Sequence, residues 1–373
     1  KGRAKIYANF GHFYTLYPGD LSSRGFSALA ATNQADFFDA QLTRPIPDGV
    51  LAGNSLNHLV MSGLDPAQAY PGTKNTYNRE WLVGAEYEWM PGLNLSVRYI
   101  RRDLFNVVED MAPATRLQLD TGIVRDLVFT IGNPKDGWPP TLDPRAAHEE
   151  FFRQYDAVEF FADKRLADKW SMQASYRWSR LYGDYEGFFR NDNNQSDPGL
   201  SSLADQPIND PSYTEIGVPL FGYRGDIRYL GRMGAGPLPN DRTHQVKLFG
   251  SYGPLAGVNL GTGFFLGSGR PLTAFAARWV PEGPRGSGVE TGDGLKKRTP
   301  VEFSFDCHAD YTLSFGNRQL LLLADVFNLF SRQGVLTYDQ RTQLAVRLSN
   351  PDYGKRNLLQ DPRQIRLGVR FQF

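Results

Sequence analysis

The segment from Arg363 to Phe373 limits the possible folds more than any other stretch of the chain. Ile365, Leu367, Val369, Phe371 and Phe373 are apolar, Gln364, Arg366, Arg370 and Gln372 are polar, and Gly368 has no side chain. Successive side chains of a β-strand point to opposite faces, so a strand here has one greasy face and one wet, cationic face. The segment closes on an aromatic with no polar tail. At the rim of an outer-membrane barrel that aromatic anchors the strand where lipid meets water. The alternative that this segment alone leaves open is an edge strand of a soluble sandwich.

The connections separate the two readings. Tight turns stand at Met90 to Leu93, Leu166 to Lys169, Gly253 to Gly257 and Ser314 to Asn317, each with Gly, Pro, Asp or Asn, residues that tolerate turn dihedrals. Long polar connections run roughly from Tyr17 to Asn75, Met111 to Arg153, Glu186 to Thr243, Pro271 to Lys297 and Ser331 to Pro362. Short and long alternate strictly. A soluble domain has no reason to do this, whereas an outer-membrane barrel has short periplasmic turns and long extracellular loops. With Phe373 periplasmic, all four tight turns fall on the periplasmic side and all five long connections outside.

Ten strands are predicted between these connections, near residues 3–14, 76–90, 94–110, 154–165, 170–185, 244–252, 258–270, 298–313, 318–330 and 363–373. Trp170, Met172, Ala174, Tyr176 and Trp178 interleave with Ser171, Gln173, Ser175, Arg177 and Ser179. This is about the nine residues that cross a bilayer when tilted, with Trp at both ends. Trp81, Val83, Ala85, Tyr87 and Trp89 repeat the design, so Trp81, Trp89, Trp170 and Trp178 are expected to form an aromatic girdle outside the barrel. In the strand near 298–313, Glu302, Asp306 and Asp310 alternate with apolar residues; burial in a dry core without partners costs too much, and a watery lumen removes that cost.

Composition agrees. Aromatics make up 13% of the 373 residues and Gly numbers 38, a mix that suits strands and turns. The net charge is +1, unlike the basic surface of a dedicated nucleic-acid binder. The longest aliphatic run is Leu320 to Ala324, far short of the roughly 18 apolar residues of a membrane helix. Membrane strands escape that test, because lumen-facing residues are polar. The chain opens on Lys1 without a leader, which leads us to expect a processed chain or a piece of a longer polypeptide.

Little points to catalysis. His12, His58, His148, His244 and His308 show no metal-ligand spacing. Cys307 and His308 are neighbours on one strand and face opposite ways, so they do not form a nucleophile–base pair, and Cys307 is expected to face lipid. No nucleophile elbow, phosphate loop or zinc-protease motif occurs. Glu86, Glu88, Glu302, Asp306, Asp310 and Asp325 read as lumen wall residues interleaved with Arg98, Arg177 and Arg366. Asp192 to Gly199 offers several oxygen ligands without matching an established calcium loop. Phe37, Phe38, Phe188, Phe189 and Trp279 either grip a ligand such as a sugar or siderophore or pack the loops together. No catalytic residue, cofactor or metal is expected.

Three segments resemble the carboxyl-terminal barrel of TonB-dependent outer-membrane receptors, in particular the Oar-like group. They are Trp81 to Tyr87 running through Pro91 to Asp103, Trp170 to Tyr182, and Asp306 to Tyr311 followed by Ala324 to Phe330 and the terminal strand. The order Arg366, Gly368, Phe371, Phe373 also resembles the terminal signal read by bacterial barrel-assembly machinery. The resemblance implies an all-β antiparallel barrel of about 22 strands, plugged by an amino-terminal domain and energised by the TonB complex. Ten strands are under half of that. The expectation is therefore a partial barrel, residues 1–373 being the carboxyl-terminal portion of a receptor whose plug and earlier strands lie elsewhere. The implied partners are outer-membrane lipid, the assembly machinery, TonB through the missing amino-terminal part, and an unidentified solute, with no nucleic acid. Alternative roles are an adhesive or structural surface protein and a plugless porin.

Overall fold

The computed structural model describes residues 2–15, 30–37, 55–62, 72–111, 130–133, 150–187, 214–215, 218–219, 234–276, 281–345 and 348–373. Of 30–37, 55–62, 109–111, 130–131, 214–215, 218–219 and 345 it describes the backbone alone. Ten long strands form one sheet: β1 (Ala4–Tyr14), β2 (Tyr77–Met90), β3 (Leu93–Phe105), β4 (Arg153–Ala167), β5 (Trp170–Gly183), β6 (His244–Tyr252), β7 (Val258–Gly267), β8 (Glu302–Phe315), β9 (Arg318–Phe327) and β10 (Gln364–Gln372). Each pairs antiparallel with its neighbours in sequence, and a short piece, Gly236–Pro237, adds to β5. Among the described residues there is no α-helix, and β1 and β10 do not pair with each other.

The tight turns follow from local chemistry. Asp168 (φ 52°) and Lys169 (φ 71°) both adopt the left-handed region, which matches the right-handed twist of a hairpin. At Gly257 (φ 78°) a Cβ would lie 2.5 Å from the Thr312 carbonyl oxygen, so only glycine fits there.

Strands β3, β5, β7 and β9 end two or more residues sooner than their patterns suggest, and in two of them a backbone reversal accounts for it. The strand expected over 94–110 stops at Phe105 because Asn106 turns to φ 50°, and that expected over 318–330 stops at Phe327 because Asn328 turns to φ 48°. Asn tolerates this region better than most residues, and the reversal breaks the extended ladder. The Asn328 side-chain amide then donates to the carbonyls of Arg332 (2.9 Å) and Asp361 (2.7 Å), tying the strand end to the following connection.

Register fixes two faces. Across β1 to β5 one row runs Ala8, Val83, Tyr99, Val158 and Trp178; across β7 to β10 another runs Thr262, Cys307, Val326 and Ile365. These rows lie on an apolar face that is widely exposed: Ile6, Val83, Phe160, Leu367 and Val369 are all uncovered. The opposite face carries Glu80, Arg98, Glu159, Asp306, His308, Asp325 and Arg366. A sheet with a bare apolar face and a polar inner one is inverted relative to a soluble sandwich, and a barrel in lipid is the arrangement that satisfies it.

Ile100, Leu104, Ala157 and Leu181 are buried on the strands, and most other buried apolar side chains gather beyond them. Val107, Val108, Phe151, Tyr185, Leu238, Leu272, Phe275 and Val289 are all nearly inaccessible, and all belong to the long connections. Leu272, Val289, Val335 and Tyr338 pack as one cluster with Tyr353. This cluster joins the β7–β8 and β9–β10 connections, which also exchange backbone hydrogen bonds: Phe275 N to Gln340 O (2.9 Å) and Thr342 N to Phe275 O (2.7 Å). A buried ion pair between Arg285 and Glu186 ties in the β5–β6 connection. The connections also hold small hairpins of their own, such as Ala30–Phe37 with Ser55–Ser62 and Val289–Thr291 with Gly294–Lys296. Their polar composition predicts plain loops, and the hairpins are a difference from that expectation.

Candidate functional site on the polar face

Cross-strand ion pairs line the polar face. Arg98 of β3 meets Glu159 of β4 at 2.5 Å, Arg102 of β3 meets Glu80 of β2, and Lys5 of β1 approaches Glu86 of β2 at 3.7 Å. At the loop end, Arg298 contacts Asp241 at 2.5 Å and Arg242 pairs with Glu302. Arg270, in the β7–β8 connection, is partly buried near Arg242, and burial pushes its guanidinium below the ordinary value.

A cluster of five side chains spans β7 to β10. His308 of β8 places Nδ1 2.6 Å from Asp325 of β9 and Nε2 2.8 Å from Asp310. Asp325 also holds Arg366 of β10 at 2.7 Å, and Asn259 of β7 donates to Asp310 at 2.9 Å. Asp306 accepts the Asn328 backbone N–H at 2.8 Å. Gly261 makes room for the histidine, since a Cβ there would lie 3.2 Å from His308 Cβ. The cluster borders a hollow of about 650 Å³ lined by Asp163, Arg165, Gln173, Phe249, Asp306 and His308. Fixed charges in a wide polar hollow can hold water, a polar solute or a docked polar domain. Among the described residues no group of His, Cys, Asp or Glu is arranged to hold a metal ion.

The residues singled out in the sequence fall as follows. Trp81, Trp89, Trp170 and Trp178 all lie on the apolar face, exposed, the first and last toward the loop end and the other two beside tight turns. Trp81 packs on Phe10 (4.2 Å between ring centres), and Lys164 lies over Trp170 at 5.0 Å. Phe371 and Phe373 sit side by side on the apolar face of β10, 6.1 Å apart. Gly368 faces Leu323, and Arg366 is held by Asp325. Cys307 shares the apolar face with Phe303 and Phe305. The six carboxylates lie on the polar face together with Arg98, Arg177 and Arg366. Of these three arginines, Arg98 binds Glu159, Arg177 stands in register beside that same Glu159, and Arg366 binds Asp325. Phe38, Phe188, Phe189, Trp279 and Asp192 to Gly199 lie outside the described residues, as does the side chain of Phe37.

Sequence reasoning missed the His308 clamp. The spacing of His308 and Asp310, two apart and therefore on one face of one strand, was the available signal. Asp325 and Arg366 join it only through register.

The fold and its two faces define a wall of an outer-membrane β-barrel. No family model matches the chain. It is 29% identical to the TonB-dependent transporter Oar of Myxococcus xanthus over 91% of this chain and 31% of that protein. Its fold is similar to that of the outer membrane transporter YddB from Escherichia coli, with TM-score 0.51 at 11% identity over 98% of this chain and 38% of the other. The chain thus resembles a region of a TonB-dependent transporter in sequence and shares the fold of an outer-membrane transporter barrel. It spans about a third of the length of the relatives it matches. Both of these relatives are transporters rather than enzymes.

Proposed function

We propose that residues 1–373 are the carboxyl-terminal portion of a TonB-dependent transporter, completed by further strands and by a plug seated against the polar face. The likeness to Oar carries this reading. Two sheet edges unpaired among the described residues support it, because each unsatisfied backbone group in lipid costs several kcal/mol and ten strands that stayed open would lose on the order of tens. In this reading the apolar face meets lipid, the four Trp rings mark the two edges of the apolar band, and the ion pairs of the polar face border the solute path. Arg366, Gly368, Phe371 and Phe373 are the signal for barrel assembly. The loop headpiece meets the solute first.

A growth experiment with the full-length gene tests the proposal. Deleting the gene and disrupting TonB are each expected to impair growth on the same scarce nutrient, with no further loss when both are combined. A growth defect indifferent to TonB would point to a plugless porin. Lost attachment without any growth defect would point to an adhesive surface protein.

A further inference from the structure

The apolar face is interrupted by charge in one sector. At the loop end of β2 to β5, one row runs Trp81, Arg101, Asp156 and Arg180, and the row beyond it holds Arg79 opposite Asp103. Among the described strand residues Arg79, Arg101, Asp103, Asp156 and Arg180 are the only Asp, Glu, Lys or Arg at the loop end of that face; Lys164 and Arg318 stand beside tight turns. Arg101 is gripped from two sides, by Asp103 at 2.9 Å and Asp156 at 3.0 Å, and Tyr99 donates its hydroxyl to Asp156 at 2.7 Å. Arg79 reaches Asp103 at 3.5 Å. Three guanidinium groups therefore face two carboxylates.

Spare donors remain. Arg180 is exposed, stands in register with Asp156 yet forms no ion pair among the described residues, and lies over the Tyr182 ring at 4.6 Å. Arg79 is no such donor at Nε, which is buried, and its guanidinium lies over Phe105 at 4.5 Å. Carboxylates and rings hold the arginines in place while leaving the N–H groups of Arg180 unused, and a guanidinium binds phosphate oxygens in a fork.

Next to this band, toward the tight turns, lies an apolar groove of about 550 Å³ lined by Tyr87, Leu95, Val97, Phe160, Tyr176 and Val246. The row through Val97, Phe160 and Tyr176 lies four residues from the row through Arg101, about 13 Å along the strand. Between them runs the row of Tyr99 and Trp178. A positive rim above an apolar furrow matches an amphiphile with an anionic head and hydrocarbon tails.

We infer that this sector of β2 to β5 is a binding site for an acylated lipid of the outer leaflet with a phosphorylated headgroup. The phosphate lies on Arg180, and an acyl chain runs over Tyr99 into the groove at Phe160. The inference rests on the proposed barrel reading, which sets this face in lipid with its loop end outward. Charge complementarity selects the ligand. A zwitterionic lipid brings no net negative charge for the surplus guanidinium, and inorganic phosphate leaves the groove unused.

The test uses the full-length protein in phosphatidylcholine nanodiscs doped with diphosphoryl lipid A, with lipid retained after affinity purification read by mass spectrometry. The wild type is expected to retain diphosphoryl lipid A over phosphatidylcholine. Arg180→Gln should lower retention about tenfold, the value of one charge-assisted contact. Phe160→Ser should lower retention of the same lipid without removing a charge. Equal retention by wild type and both variants overturns the site, as does displacement of the lipid by inorganic phosphate alone. Heat-dependent gel mobility of the same samples reports whether a closed barrel formed. Absence of that shift in the wild type means that the barrel reading itself has failed, independently of the lipid.

Discussion

The Arg366 guanidinium sits 2.7 Å from the Asp325 carboxylate, so the residue that sequence reasoning assigned to a linear signal also has a partner in the folded sheet. Asp325 is nearly covered and serves His308 as well, whereas Arg366 is mostly exposed. Removing the carboxylate strands two donors; removing the guanidinium strands one acceptor that keeps another partner. Asp325→Ala in the full-length protein should therefore lower the thermal unfolding midpoint more than Arg366→Gln. The reverse order in a heat-mobility titration would show that the pair does not act as the geometry suggests.

Gly368 has a packing reason to be glycine. A Cβ there would lie 2.8 Å from Leu323 Cδ1, on the strand directly opposite. Gly368→Val should cost about 1–3 kcal/mol through overpacking, and Leu323→Ala in the same chain should recover most of it. Urea titration of the single and double variants reads the coupling. Additive losses would mean that the glycine serves something other than this contact.

Phe373 stands almost fully exposed and touches little besides Phe371. On the proposed function, Phe373→Ser in the full-length protein should lower the outer-membrane level while leaving uptake per molecule nearly unchanged, measured by surface labelling beside a transport assay. Normal membrane levels with lost uptake would assign the terminal strand a transport role.

The two faces predict opposite tolerance to charge. Val97 and Ser96 are adjacent on β3 and point to opposite sides. Val97→Arg should destabilise the inserted barrel by about 2–4 kcal/mol, as expected near the middle of a lipid-facing band, and Ser96→Arg by far less. Refolding equilibria in defined vesicles of phosphatidylcholine distinguish them. Similar costs would sink the face assignment on which the proposed function depends.

Much of the sheet was legible because its signals are local. The alternation that opens β10 and the residues of the four tight turns suffice to place ten strands in order. Asn106 and Asn328 shortened two strands for a reason that is local too, but carried by one dihedral that an alternating pattern does not register. The polar face was legible as a surface and not as a set of pairs. Arg98 and Glu159 are 61 residues apart, and their meeting is set by register across a long connection. The His308 clamp draws on three strands, and only its His308–Asp310 half lies within one of them.

The dry interior of this chain lies among the connections, where Phe275, Leu238 and Val289 are shut away from solvent, while the strands leave their apolar side bare. Two kinds of hydrophobicity therefore answer to different solvents. Moving the protein from a membrane into a detergent changes the surroundings of Val83 and Leu367 and leaves those of Phe275 as they were. Residues of the headpiece are also held in place by one another, through contacts such as Arg285 with Glu186. A substitution there must preserve an interior, so the β5–β6, β7–β8 and β9–β10 connections are constrained together rather than one at a time.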